Sequence, residues 1–236
     1  MSSRRVKTRV IDLLAGSDVD RILAEMRSLP ARDIIHALFS AICRPEEPLR
    51  WHAVQAMGES VARLAETDME AARIVMRRLI WSLNEESAGI GWGAPEAMAE
   101  IICHHSGLAG EYVHMLISYM RGDGPELFQD GNFLEHEMLQ RGLLWGIGRL
   151  AEVRPEMLRE RGVAADLLPY LDSDDHAVRG LAARALGLLH ADGAAGGIAR
   201  LAGDSFPVSL YEQGTLRKAT VEELGREALQ RIQARR

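Results

Sequence analysis

The chain is expected to be all-α: about five stacked helix pairs, with one small β-hairpin near the C-terminus. Two observations predict this. A twelve-residue helical pattern, clearest from Val178 to Leu189, recurs at intervals of 39 to 49 residues. Hydrophobic residues make up 47% of the chain while aromatics are only 5%, with Ala and Gly plentiful, which suits close helix contact better than a sheet. A period of that size marks a repeat array, in which no single pair can bury its apolar face alone.

The inward positions of the clearest copy are Val178, Leu181, Ala182, Ala185, Leu186 and Leu189, one face of a 3.6-residue helix. The same spacing fits segments that begin at Leu49, Ile90, Leu139 and Val221. Of these thirty positions only His52 and Ser60 are neither apolar nor glycine. Each copy follows an apolar first helix, over Asp33–Ile42, Met69–Leu83, Glu111–Met120, Ala164–Leu171 and Ala194–Leu201. Val6–Leu14 and Val19–Leu29 form an N-terminal helical cap, with Ser17 as its expected N-cap residue. The organisation expected is one domain over 1–236, with the cap in 1–30 and five pairs in 31–236. Thr220-Val221-Glu222-Glu223 reads as a capping box for the last helix.

The stretch LLPYLDSDDHAVRGLAARALGLL, Leu167–Leu189, resembles the HEAT-repeat family of armadillo-like α-solenoids. The resemblance implies a right-handed α–α superhelix from about Asp33 onward. It also implies that a turn aspartate and a following arginine support each bend: Asp172 or Asp174 with Arg179, and Glu46 or Glu47 with Arg50. Gly91, Gln140 and Glu222 depart from that pattern, so those bends must be held otherwise. WSLNEESAGIGWGAPEAM and NFLEHEMLQRGLLWGIGRLAE look like stretches of an uncharacterised group of bacterial HEAT-repeat proteins.

Extra residues collect in three within-pair turns: Asn84–Pro95, Arg121–Phe133 and Gly203–Ala219. The last carries the hairpin, with Val208 and Leu210 against Leu216 and Lys218 around Glu212-Gln213-Gly214. Within-pair turns share one edge of a helix-pair array, and such an edge either builds a binding surface or only seals the core. Both readings are open at this stage. Trp51 and Trp92 hold the same position in consecutive copies, two residues after Leu49 and Ile90, so their rings either line one groove or cover the end of the core. His52 reads as a satisfied core histidine whose place beside Trp51 keeps a groove role open.

The candidate contact residues are Trp51, His52, Glu85, Trp92, Glu96, Asn132, His136, Glu137, Arg141 and Trp145. They belong to the turn edge and to the groove of second helices. Glu135-His136-Glu137 reads as helix-start capping and solvation rather than chelation. The H-E-x-x-H spacing fails because Gln140 follows, so no metal or cofactor is expected. Gly89-Ile90-Gly91-Trp92-Gly93 follows a helix instead of a strand, which removes the dinucleotide reading. Cys43 and Cys103 form neither a metal pair nor a disulfide framework. A net charge of −6 argues against a nucleic-acid partner, and no apolar run reaches the ~18 residues of a membrane span.

These observations lead to a non-enzymatic, cytoplasmic scaffold that binds another protein or peptide. The alternative is a small-molecule or cofactor-handling protein, lyase-like or a maturation factor, using the same surface. That alternative comes only from the resemblance to HEAT-like lyases.

Overall fold

A computed structural model describes residues 3–84, 91–124 and 131–234. Among the described residues there are thirteen α-helices, and the strands form one two-stranded hairpin. They group into two compact units, Met1–Val113 with Tyr211–Leu216, and His114–Leu210 with Arg217–Arg236. Among the described residues no helix is long and apolar enough to cross a membrane.

The first unit opens with α1 (Ser3–Leu14) and α2 (Val19–Arg27). Asp18, not Ser17, caps α2. Its backbone is extended and its carboxylate accepts a hydrogen bond from the Arg21 amide, while Ser17 lies one residue too early. Next come α3 (Ala31–Ile42), α4 (Glu47–Thr67), α5 (Met69–Leu83) and α6 (Ala94–His104). The helix α6 starts four residues later than the repeat spacing suggests. Gly93 is left-handed (φ 74°) at its N-cap and Pro95 occupies its first turn. A Cβ on Gly93 would also strike the Ile42 carbonyl, so only glycine fits there. The boundary between the units falls within α7 (Ser106–Ser118). This helix begins ahead of the expected Glu111 because His105 Nδ1 accepts from the Leu108 amide, and Leu108 and Ala109 are buried.

The second unit holds α8 (Glu137–Val153) and a short α9 (Pro155–Arg159) that repeat spacing did not suggest. The first helices of the next two pairs are fragmentary. One is α10 (Val163–Leu167), continued by a 3-10 turn over Leu168–Asp172. The other is α12 (Ala195–Ala199), preceded by a 3-10 turn over Asp192–Ala194. Their partners, α11 (His176–Leu188) and α13 (Val221–Gln233), are full length. Gly187 lets these two meet backbone to backbone: a Cβ there would sit 2.5 Å from the Ala228 Cα. Strands β1 (Pro207–Glu212) and β2 (Thr215–Thr220) join through Gln213 (φ 47°) and Gly214 (φ 79°), a two-residue turn with both central φ positive. The Thr220–Glu223 capping box is formed.

The repeat template describes the core well. Every described inward position is buried except Leu229, which is half-buried; Ile90 lies outside the described residues. His52 and Ser60, the two polar exceptions, are buried too.

Candidate functional site

In the first unit the start of α4 carries Arg50, Trp51 and His52. Trp51 is only 5% exposed, its indole stacked on the Tyr211 ring at 5.1 Å and 2°. The Tyr211 hydroxyl donates to Gln55 Oε1 at 3.0 Å. The tip of the chain's own hairpin thus occupies the α4 surface that the spacing suggested as a groove. Arg50 lies 4.6 Å from the Trp51 ring centre and donates to Glu96 Oε1 at 2.9 Å. His52 Nδ1 is 2.9 Å from the Leu14 carbonyl, which accepts its proton, so this histidine is a satisfied core residue.

Glu96 is buried because α6 is enclosed on every side: each residue from Ala94 to Cys103 is buried. Its Oε2, and Trp92 Nε1 nearby in sequence, are buried without a hydrogen-bond partner among the described residues. Trp92 is half-buried, and its carbonyl accepts from the Cys43 thiol at 3.5 Å. Burial, and then the Glu96 charge, push that thiol's pKa up, away from the reactive thiolate. Glu85 lies outside the described residues.

In the second unit Asn132 is exposed and donates to Ser118 Oγ at 3.0 Å, which lays the 131–136 segment on the end of α7. The Leu134 amide donates to the Tyr119 carbonyl at 3.2 Å, and Gln140 returns a bond to the Leu134 carbonyl at 2.7 Å. His136 caps α8: its Nδ1 accepts from the Met138 amide at 3.2 Å, which places the ring proton on the exposed Nε2 side. Glu135 and Glu137 are exposed, favourably placed at a helix N-terminus. Arg141 is bound to both Asp175 oxygens, and Asp175 in turn caps α11 by accepting from Val178 at 2.9 Å. Burial opposes ionisation of Asp175, but the bonds from Arg141 and Val178 outweigh it and hold its pKa below the ordinary carboxylate value. Trp145 is interior.

Four residues expected to touch a partner are therefore interior: Trp51, His52, Glu96 and Trp145 are each at most 5% exposed. The cause is packing that spacing alone cannot reveal, namely the hairpin over Trp51 and the enclosure of α6. The structure keeps Asn132, His136 and Glu137 at the surface and brings them together within one turn and helix start. Phe133 (45% exposed) and Met138 (42%) flank them. Neither was singled out from sequence, although two large apolar residues in a polar turn were a readable signal.

The arginines at second-helix starts serve the repeat. Arg50 reaches Glu96, Arg141 reaches Asp175, and Arg179 reaches Asp204 at 2.6 Å, each crossing to the following repeat. Arg179 also donates to the Ser173 and Asp174 carbonyls at 2.6 and 3.2 Å. The bend is thus held through turn carbonyls, not the Asp172 or Asp174 carboxylate. Among the described residues no three His, Cys, Asp or Glu side chains stand close enough to hold a metal ion.

A family profile described as HEAT-like repeat matches residues 137–189, which span α8 to α11. No curated protein matches the sequence. Solved structures share the fold. An engineered protein superposes with a TM-score of 0.53 at 17% identity, over 99% of this chain and 98% of its own. A second engineered protein gives 0.52 at 16%, over 97% and 98%. A designed armadillo repeat protein in complex with the peptide (KR)4 gives 0.51 at 17%, over 95% and 98%. In fold, the chain is an all-α repeat solenoid of the HEAT/armadillo type.

Proposed function

We propose that this chain is a non-enzymatic binding module that holds a protein or peptide segment against the turn edge of its second unit. One observation carries the reading: Phe133 and Met138 expose large apolar side chains on either side of Glu135-His136-Glu137. Exposed apolar anchors beside polar groups are the usual composition of a contact surface. Asn132, His136 and Glu137 supply the polar contacts, while Arg141, tied to Asp175, holds the helix start in place. The two carboxylates favour a segment that carries basic residues among apolar ones. The designed armadillo protein bound to (KR)4 offers a parallel, since its partner is also basic.

The small-molecule alternative has weaker support. A depression of about 590 Å3 is lined by Arg4, Arg5, Thr8, Arg9, Asp12 and Leu13 on the outside of α1, with no tryptophan. The test is quantitative capture from native lysate with the wild type and with Phe133→Ser/Met138→Ser. Partners recovered by the wild type and depleted by the double variant are the expected result. Identical recovery by two equally folded baits would refute the assignment.

A further inference from the structure

A second exposed apolar surface lies in the first unit, on the outward side of α3 and α5. Trp81 is 57% exposed and Ile74 56%. They stand seven residues apart on α5, on one stripe, about 10 Å along the axis. Arg78 lies between them on the same stripe. Its guanidinium sits 4.0 Å over the Phe39 ring of α3, with Nη1 3.4 Å from His36 Nδ1. The α5 helix has no need of these outward residues for its core, because its inward face is Ala72, Val75, Met76, Leu79 and Leu83.

The charges on α5 are unequally served. Arg77 is bound to Glu70 at 2.5 Å and Arg73 to Glu111 at 2.6 Å. Among the described residues no carboxylate lies within ion-pair distance of Arg78. This leaves one guanidinium, already oriented by an aromatic ring, between two exposed apolar side chains. Trp and Arg are the residues that most often anchor interfaces, and a pre-oriented guanidinium gives up less entropy on pairing.

We propose that this face docks an amphipathic helix of a partner protein, one that presents a carboxylate between two large apolar residues. The apolar pair would cover Ile74 and Trp81, and the carboxylate would pair with Arg78. An i, i+7 spacing on the partner matches the same spacing on α5, as in helix-on-groove recognition. The surface is separate from the turn edge of the second unit, so neither proposal depends on the other.

The test is selection from a displayed library of helical peptides with three stripe positions randomised, using the full chain as bait. Enriched peptides should carry Asp or Glu between two large apolar residues. Their affinity should fall at least tenfold on Trp81→Ala and remain unchanged on Phe133→Ser/Met138→Ser. Arg78→Gln should abolish the preference for Glu over Gln at the central position. Circular dichroism melts check that Trp81→Ala stays folded, which its exposure makes the expected outcome. Failure to enrich any binder, equal affinity for Trp81→Ala, or no acidic preference would overturn the proposal. So would sedimentation showing a wild-type dimer that Trp81→Ala dissociates, because the face would then belong to a second copy of this chain.

Discussion

Replacing Tyr211 with alanine is the sharpest probe of how the first unit is closed. The residue is 3% exposed, lies flat on Trp51 at 5.1 Å and donates its hydroxyl proton to Gln55. Truncating a buried aromatic to alanine costs about 3–5 kcal/mol, including about 0.5–1.5 kcal/mol from a ring pair. Tyr211→Phe isolates the hydroxyl. Gln55 is half-buried, so water can replace the lost donor, and the expected cost is about 1 kcal/mol. The assay is urea unfolding at constant m, paired with the difference in emission between each protein and its Trp51→Phe counterpart. Tyr211→Ala should lower stability several-fold more than Tyr211→Phe and shift the Trp51 emission to the red. A cost below about 1 kcal/mol for Tyr211→Ala, with no shift, would mean that the hairpin tip does not seat on Trp51.

Two further predictions concern the repeat contacts. Glycine to alanine inside a helix normally stabilises by about 0.5–1 kcal/mol. Gly110→Ala, where an added Cβ meets nothing within 4 Å, should follow that rule, whereas Gly187→Ala, 2.5 Å from Ala228, should destabilise by about 1–3 kcal/mol. Thermal melts of the pair check the sign reversal. At Asp175, alanine should cost about 1–2 kcal/mol through loss of the α11 cap, and asparagine, which caps equally well, about 1 kcal/mol or less, chiefly from the half-exposed Arg141 pair. Because the folded pKa of Asp175 is depressed, its contribution is present above the ordinary carboxylate value and is lost as pH falls through the folded value. Denaturation series in acid should therefore show a flatter loss of stability for Asp175→Asn than for the wild type.

The architecture was legible because periodic burial is a backbone-level rule. Each second helix must turn the same face inward, and the positions from Val178 to Leu189 did so in the other copies. Element ends were less legible where one side chain decides them. His105 at the start of α7 and left-handed Gly93 before α6 each move a boundary, and Asp18 replaces Ser17 as the cap of α2, without disturbing the period. The fragmentary α10 and α12 reflect Pro169 and the Gly193–Gly197 stretch, which weaken a helix that tertiary packing tolerates only in part.

The candidate site was less legible for a related reason. Spacing tells which residues share a helix face, but not which distant segment covers that face. Trp51 and Trp92 looked equivalent by repeat position, yet a segment about 160 residues later in the chain stacks on one, while the carbonyl of the other accepts from the Cys43 thiol. The more informative residues are those the repeat does not require. Ile74, Trp81, Phe133 and Met138 are large and apolar, lie outside the inward template and remain exposed. Side chains this exposed contribute little to the core, although the Phe133 ring does stack on Tyr170 with centroids 6.3 Å apart. Ile74 with Trp81, and Phe133 with Met138, each lie beside a charged group, which supports the proposals that these two surfaces contact another molecule. The useful way to read such an array is to subtract the periodic positions first and to look for function in the apolar residues left over.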